Sequence, residues 1–149
     1  MADQKTVQDF LAQKIIAVVG VSRSREKYGN QAYRRLKSLG YQVYPIHPSA
    51  EKLEGDQAYP NLAALPEKPG GVLIVVPPAQ TENVVQEAAK AGIRRVWMQP
   101  GAESPTAILF CEDHNIAVVH STCILTLSET ASDSDPGHLQ FWGLEGLPK

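Results

Sequence analysis

Continuous apolar runs alternate along the chain with segments in which apolar residues recur at the spacing of a helix. The runs predict strands buried on both faces of a parallel sheet, at residues 15–19, 41–46, 71–76, 94–98 and 116–120. The intervening segments predict helices at residues 31–39, around 84–91 and at 106–114, preceded by a lead-in helix near 4–13. In the helix over 106–114 we expect Ile108, Leu109 and Cys111 to face inward. The alternation predicts an α/β fold, a doubly wound parallel sheet of about five strands with helices on both faces.

The length of 149 residues fits one domain, which we place over residues 1–129. Residues 130–149 form a predicted C-terminal tail that ends in an apolar group, Leu139, Phe141, Trp142 and Leu144. The net charge of −2 argues against nucleic acid as a partner, and no apolar stretch reaches the roughly 20 residues that cross a membrane. The two cysteines suit a reducing cytoplasm rather than a disulfide framework, so we predict a cytoplasmic protein. Because the cysteines and the four histidines lack metal-ligand spacing, we predict no metal site.

The turns after the predicted strands carry most of the residues that could recognise a ligand. Right-handed crossovers bring the carboxyl ends of parallel strands to one edge of the sheet, where ligands bind in open α/β folds. These turns are rich in glycine, proline and small polar residues, and they contain Gly20–Ser22, Pro45–Pro48, Val76–Pro78, Gln99–Gly101 and His120–Ser121. We therefore expect a binding cleft along this edge.

The first of these turns favours a ligand that carries phosphate. Gly20 lets the chain leave the strand without a Cβ, and Ser22 could donate its hydroxyl to a phosphate oxygen. Positive charge follows beside the next helix, at Arg23, Arg25 and Lys27. The alternative is a glycine that the fold itself requires, followed by solvated basic residues.

A nicotinamide dinucleotide is a poorer match to this part of the chain. The G-x-G-x-x-G pattern is absent, because Ser22 stands at the second glycine and the next glycine is Gly29. No acidic residue that could hold an adenosine ribose follows the second strand before Glu51. The donors that follow this strand, and that a ribose-phosphate could use, are His47, Ser49 and Lys52.

The later turns leave alternatives open. Pro77 and Pro78 provide either a rigid surface for an adenine or an apolar arm, or only a stop to the strand. Gln99 could bond an amide-containing ligand, whereas Ser104 is expected to cap the following helix. Cys123 is by default a small buried thiol, with a redox or ligand-facing role as the alternative. No catalytic constellation is found, so we assign no catalytic residue.

Five segments of the chain, taken in order, resemble the CoA-binding family of small, single-domain Rossmann-like proteins. They are AVVGVSRS (17–24), LGYQVYPIHP (39–48), VLIVVPPAQT (72–81), RVWMQPGAES (95–104) and AVVHSTC (117–123). The resemblance covers roughly residues 14–129. The fold of this family is similar to that of the N-terminal domain of the succinyl-CoA synthetase alpha subunit.

The resemblance implies where coenzyme A would bind. It places the CoA phosphates at the first turn, on Gly20, Val21, Ser22, Arg23, Ser24 and Arg25. It places the adenosine end near the segment after Pro48, with Lys52 as a candidate partner of the 3′-phosphate. His47-Pro48 stands where relatives tend to have Asn-Pro. Val76 and Pro77 would flank the adenine or the pantetheine, and the pantetheine path would be lined by Met98, Gln99 and Pro100.

The function implied by the resemblance is a non-catalytic binding or regulatory module for coenzyme A or an acyl-CoA. The ligase machinery of the synthetase lies in domains without a counterpart in these 149 residues, so we expect that the protein is not an enzyme. We expect it to form a homo-oligomer or to bind a partner enzyme. One alternative is an NAD(P)-dependent oxidoreductase or a redox-sensing nucleotide-binding domain. Another is an interaction protein with an empty cleft, whose segment Leu139–Leu144 mediates assembly.

Overall fold

The computed structural model of the protein describes residues 4–24, 26–121, 123 and 124, and these form one α/β unit. The helices are α1 (Gln4–Leu11), α2 (Tyr28–Ser38), α3 (Pro78–Lys90) and α4 (Pro105–Asp113). The strands are β1 (Ile15–Val19), β2 (Gln42–Ile46), β3 (Lys52–Leu53), β4 (Asp56–Gln57), β5 (Gly71–Ile74), β6 (Arg95–Met98) and β7 (Ala117–Val119). The predicted tail, residues 130–149, lies outside the described residues. None of the described helices has the length and apolar character needed to span a bilayer.

Five parallel strands form the main sheet in the order β2-β1-β5-β6-β7. The central strands β1 and β5 are continuously apolar because both of their faces are covered, which confirms the predicted doubly wound fold. The chain leaves β1 toward β2 on one side and returns to β5 on the other. The strand order therefore reverses between β1 and β5, the position at which such sheets bind ligands.

Each face of the sheet carries its own apolar layer. On one face α1 and α2 pack against the strands, and the Phe10 ring meets Trp97 edge-on at 5.3 Å between ring centroids. On the other face α3 and α4 contribute Val85, Ala88 and Cys111. Burial raises the pKa of the Cys111 thiol to about 12, so this cysteine is an inert part of the core.

The segment between β2 and β5 contains a β-hairpin where the sequence predicts only a polar stretch. Strands β3 and β4 pair antiparallel through a two-residue turn, in which Glu54 has φ +52° and Gly55 has φ +81°. Two successive residues with positive φ are typical of a type I′ hairpin turn. The hairpin escapes the hydrophobic pattern because strands of two residues are too short to show an alternation.

Several predicted boundaries and one predicted orientation are wrong. Helix α2 begins at Tyr28 rather than Gln31, β5 ends at Ile74 rather than at residue 76, and α3 begins at Pro78 rather than near residue 84. Leu109 is 61% exposed rather than inward-facing. The buried face of α4 contains Ala107 and Cys111, and Leu109, two positions from each, lies on the opposite side of the helix. The prediction fails because α4 is apolar around most of its circumference, so its pattern does not identify the buried face.

Two short polar side chains cap helical turns, and the cap predicted at Ser104 is confirmed. The Asn61 side chain accepts the Ala64 N–H at 3.0 Å and caps a short 3₁₀ turn, Leu62–Ala64. The Ser104 hydroxyl accepts the Ala107 N–H at 3.2 Å at the start of α4. Ser104 therefore has the structural role that its position before a proline predicts.

Candidate functional site

Two glycines allow β1, β5 and α2 to meet at the point where the strand order reverses. Gly20 follows β1 with φ +126°, and a Cβ on it would lie 2.3 Å from the Val75 carbonyl oxygen. A Cβ on Gly29, in the first turn of α2, would lie 2.2 Å from the Gly20 carbonyl oxygen. Real Cβ atoms do not approach backbone so closely, so any larger residue at either position would push these elements apart.

Asn30 fixes the conformation of the turn after β1, and the sequence analysis missed it. Its fully buried side chain accepts the Ser22 N–H at 2.8 Å and donates to the Ser22 carbonyl oxygen at 2.7 Å. The Ser22 hydroxyl in turn accepts the Ser24 N–H at 3.0 Å and donates to the Ser24 carbonyl oxygen at 3.2 Å. The hydroxyl predicted to meet a phosphate is thus engaged within the turn. No local sequence signal points to Asn30, because it is a poor helix former and lies just before the helix predicted at residues 31–39.

The hairpin β3–β4 is attached to α2 through its acidic residues. The Glu54 carboxylate, whose side chain is 4% exposed, accepts hydrogen bonds from Asn30 and from Arg34, each at 2.8 Å. Asp56 accepts from the Tyr33 hydroxyl at 2.5 Å and from Lys37 at 2.6 Å. Burial alone would raise the pKa of Asp56, but these two hydrogen bonds outweigh it and hold that pKa below its usual value. The attachment places Lys52 of β3 beside the turn after β1.

A cavity of about 440 Å³ opens between this turn and the hairpin, and we call it the cation cavity. It is lined by Ser22, Arg23, Asn30 and residues 52–55. Arg23 and Lys52 are exposed, and within the described part of the chain neither side chain forms a hydrogen bond or an ion pair. The lining carboxylate, Glu54, is paired with Arg34. The charges of Arg23 and Lys52, which have no carboxylate partner among the described residues, therefore make this cavity attractive to an anion.

A second cavity of about 460 Å³ lies where the carboxyl ends of β1, β2 and β5 face α3, and we call it the switch-point cavity. Its walls are mainly apolar and include residues 19–22, 46–48, Pro60, Val75 and Val76. Helix α3 contributes Gln80, Asn83 and Glu87, which the sequence analysis missed. Their spacing of three and four residues on one helix face is the signal that could have found them. The two cavities meet at Ser22.

His47 lines the switch-point cavity with one ring nitrogen already engaged. Its Nδ1 accepts the N–H groups of Ser49 and Ala50, each at 3.0 Å. Burial, together with the nearby charge of Arg23, lowers the pKa of His47. The ring is therefore neutral at neutral pH and braces the loop that follows β2.

The end of β6 has a different character, because its polar groups bond to one another. Gln99 is 2% exposed, and its amide donates to the Tyr28 hydroxyl at 2.7 Å and accepts the Ile124 N–H at 2.8 Å. The Tyr28 hydroxyl also contacts the half-buried Cys123 sulfur. Burial and this contact raise the pKa of Tyr28. A ligand amide would have to displace these protein partners to reach Gln99.

The structure thus places the predicted site residues in three groups. Gly20, Val21, Ser22, His47, Pro48 and Val76 line the switch-point cavity, and Arg23 and Lys52 line the cation cavity with Ser24 beside them. Pro77 occupies the N-cap position of α3 and Pro100 is exposed, whereas the side chains of Met98 and Gln99 are buried. Arg25 lies outside the described residues. Contact of any of these residues with a ligand stays a prediction.

Two other features of the described residues bear on the choice of site. They contain no group of three or more His, Cys, Asp or Glu side chains able to hold a metal ion. A larger cavity of about 680 Å³ lies between α3 and residues 61–69, away from the turn after β1. Its lining contains two acidic and two basic residues, Glu67, Glu87, Lys68 and Lys90, so their formal charges cancel. It therefore lacks the surplus of positive charge found in the cation cavity.

Comparisons with known proteins identify the family. Residues 14–129 match the family model described as CoA binding domain. The chain is 31% identical over 90 residues to acetate–CoA ligase [ADP-forming] II of Archaeoglobus fulgidus, a match that covers 59% of this chain and 13% of the ligase. It is 29% identical over 121 residues to acetate–CoA ligase [ADP-forming] I of the same organism, covering 74% of this chain and 18% of the ligase. The chain thus spans less than a fifth of these curated relatives.

Solved structures of small proteins match over nearly their whole length. A conserved hypothetical protein from Pyrococcus furiosus is 36% identical with a TM-score of 0.71, over 74% of this chain and 96% of that one. A hypothetical protein from Pyrococcus horikoshii is 28% identical with a TM-score of 0.83, over 89% and 94%. The predicted resemblance is confirmed, and the chain belongs to the CoA binding domain family, homologous to the corresponding domain of ADP-forming acetate–CoA ligases.

Proposed function

We propose that this chain binds coenzyme A or an acyl-CoA across its two adjoining cavities, as a cytoplasmic, non-catalytic binding or regulatory module. The observation that carries the proposal is the pair of cations at Arg23 and Lys52, whose side chains have no partner among the described residues, beside an apolar cavity at the reversal of strand order. Coenzyme A combines these same requirements, since it joins charged phosphates to a flat base and a long, weakly polar arm.

Each cavity suits a different part of the ligand. The cation cavity supplies Arg23 and Lys52 for phosphate oxygens, and Lys52 is our candidate for the 3′-phosphate. The switch-point cavity offers Val75 and Val76 as apolar walls for the adenine, with the amides of Gln80 and Asn83 at its edge. The pantetheine arm would then leave along the exposed Pro100, passing over the buried Gln99.

A binding role fits the size of the match to known proteins. The relatives named as acetate–CoA ligases are more than five times longer than the region they share with this chain. The two cavities are lined by two cations, by hydrogen-bonding and apolar side chains, and by two carboxylates. Glu54 already accepts hydrogen bonds from Asn30 and Arg34, and Glu87 accepts the Leu62 N–H. We therefore assign this chain no chemical step, and we propose that it acts on a second copy or on a partner enzyme.

Calorimetric titration with coenzyme A, 3′-dephospho-coenzyme A and NAD tests the proposal. We expect coenzyme A to bind, with NAD much weaker because no acidic residue follows β2 to hold its ribose. Arg23→Ala should weaken coenzyme A about 10-fold, since a charge-assisted hydrogen bond is lost. Lys52→Ala should weaken coenzyme A by a similar factor and leave dephospho-coenzyme A unchanged.

The matched control is Lys5→Ala, because Lys5 is an exposed lysine on α1 that lines neither cavity. Its affinity for coenzyme A should equal that of the parent protein. The affinity for coenzyme A should also fall as the salt concentration rises from about 50 to about 300 mM, because salt screens exposed contacts between cations and phosphate. A parent protein that shows no heat with millimolar coenzyme A would overturn the proposal, and so would a loss in Lys5→Ala as large as in Arg23→Ala.

A further inference from the structure

The hydrogen bonds of His47 determine which of its ring nitrogens carries the proton. Nδ1 accepts two backbone N–H groups, from Ser49 and Ala50, at 3.0 Å each. A nitrogen that accepts cannot carry a hydrogen, so in the neutral ring the hydrogen is on Nε2. The backbone of the loop after β2 therefore selects a single tautomer and leaves one N–H donor on the remaining side of the ring.

The surroundings of His47 also disfavour the charged imidazolium. Protonation would place a hydrogen on Nδ1, directly opposed to the two backbone N–H groups. The ring is partly buried and lies within the electrostatic reach of Arg23, while the carboxylate of Glu87, on α3, lines the same cavity and accepts the Leu62 N–H at 3.2 Å. His47 thus offers the switch-point cavity a neutral donor whose direction is fixed.

We propose that His47 is a specificity-determining residue of this site, in which Nε2–H donates to a phosphoryl oxygen of the ligand beside the Arg23 guanidinium. This inference rests on the proposed function and deepens it. Two donors approach from two different turns, one neutral and one charged, and an anionic oxygen is the group that satisfies both. A ligand without phosphate gains nothing from this pair of donors.

Asparagine at position 47 provides a matched test. The Asn side-chain oxygen can accept the N–H groups two and three residues later, as in an Asx turn, and so replaces Nδ1 in bracing the loop. It carries no group at the position of Nε2. His47→Asn should therefore keep the melting temperature of the parent protein, while coenzyme A and ADP bind about 10-fold more weakly, the loss of one hydrogen bond to a charged oxygen. Adenosine, which lacks phosphate, should bind both proteins equally.

Long-range ¹H–¹⁵N NMR supplies a readout that does not depend on affinity. We expect Nδ1 to resonate as an unprotonated acceptor and Nε2 as a protonated nitrogen, with the Nε2–H signal shifting when coenzyme A is added. A proton on Nδ1 would overturn the assignment. Equal affinity of the parent protein and His47→Asn for coenzyme A would overturn the ligand contact alone, leaving the proposed function in place. A parent protein that binds neither coenzyme A nor ADP would overturn both.

Discussion

The carboxyl edge of the sheet has two halves, which differ in the partners of their polar groups. At the ends of β1 and β2, two cations are exposed without partners among the described residues, and two cavities open beside them. At the end of β6, Gln99 and Tyr28 are linked to each other and to residues 123 and 124. Both halves look equally polar in the sequence, but the first leaves the charged side chains of Arg23 and Lys52 without partners among the described residues, whereas the second bonds its polar groups to one another.

The difference separates residues that stabilise the fold from residues available to a ligand. A buried polar group that has protein partners costs free energy of unfolding when it is removed, because its partners are left unsatisfied. An exposed cation costs little stability when removed, since solvent already screens it. Substitutions in the two halves should therefore affect different measurements.

The largest expected effect is the loss of the close backbone approach on which the β1 half depends. A Cβ at Gly29 would lie 2.2 Å from the Gly20 carbonyl oxygen. Backbone cannot yield as a flexible side chain can, so Gly29→Ala should lower the free energy of unfolding by about 2–4 kcal/mol. It should also abolish coenzyme A binding by displacing the turn that carries Arg23. Urea denaturation and calorimetric titration measure the two effects.

Gly40→Ala is the control for this substitution. Gly40 has φ +99°, but a Cβ on it would meet nothing within 4 Å, so only backbone strain of about 1 kcal/mol is expected. If Gly29→Ala loses no more stability than Gly40→Ala, then β1 and α2 are not in the tight contact described here.

A pair of glutamine substitutions tests the comparison directly. Gln99→Ala leaves the Tyr28 hydroxyl and the Ile124 N–H without their partner, and we expect it to cost about 2–3 kcal/mol of unfolding free energy. The affinity of the remaining folded protein for coenzyme A should change less than 2-fold. Gln80→Ala on α3 should do the reverse, with stability within about 0.5 kcal/mol of the parent and weaker binding, because Gln80 is exposed and lines the switch-point cavity.

The two variants are compared by urea denaturation and by titration with coenzyme A under the same conditions. A Gln99→Ala protein of normal stability that no longer binds coenzyme A would contradict the division of the edge into two halves. It would instead support the amide contact that the sequence alone suggests for Gln99.

The sequence predicts the sheet well and the partners of its polar residues poorly. Strands such as β1 and β5 are buried on both faces, so their apolar character is continuous and visible without the structure. The burial of Gln99 depends on Tyr28, 71 positions away, and on Ile124. Nothing in the local pattern around Gln99 distinguishes an amide paired by such distant residues from one that faces a ligand.

The predicted start of α2, at Gln31, differs from the observed start, at Tyr28, for a related reason. Gly29 and Asn30 are poor helix formers, so helix propensity predicts that the helix begins after them. Both residues make contacts outside the helix, Gly29 with the Gly20 backbone and Asn30 with Ser22 and Glu54. Local propensity is overridden at the position where the turn, the helix and the hairpin converge.

The smallest expected effect concerns the attachment of the hairpin that presents Lys52. Asp56 has a lowered pKa in the folded protein, since its hydrogen bonds with Lys37 and Tyr33 outweigh its burial. Its contribution to stability is therefore fully present above the pKa of an unfolded Asp, about 4, and is lost as the pH falls through the lower folded-state value. Asp56→Asn removes the titrating group. The parent protein should lose more stability between pH 5 and pH 3 than this variant does, as measured by urea midpoints.

Lys37→Gln refines this last comparison. It removes one of the two donors to Asp56 and leaves the Tyr33 hydroxyl in place, so the acid-dependent loss should be intermediate between those of the parent and Asp56→Asn. Neither variant should change the affinity for coenzyme A at pH 7 by more than about 2-fold, because Glu54 still joins the hairpin to Asn30 and Arg34. Equal acid sensitivity in all three proteins would mean that Asp56 does not anchor the hairpin, and that Glu54 alone positions Lys52 beside Arg23.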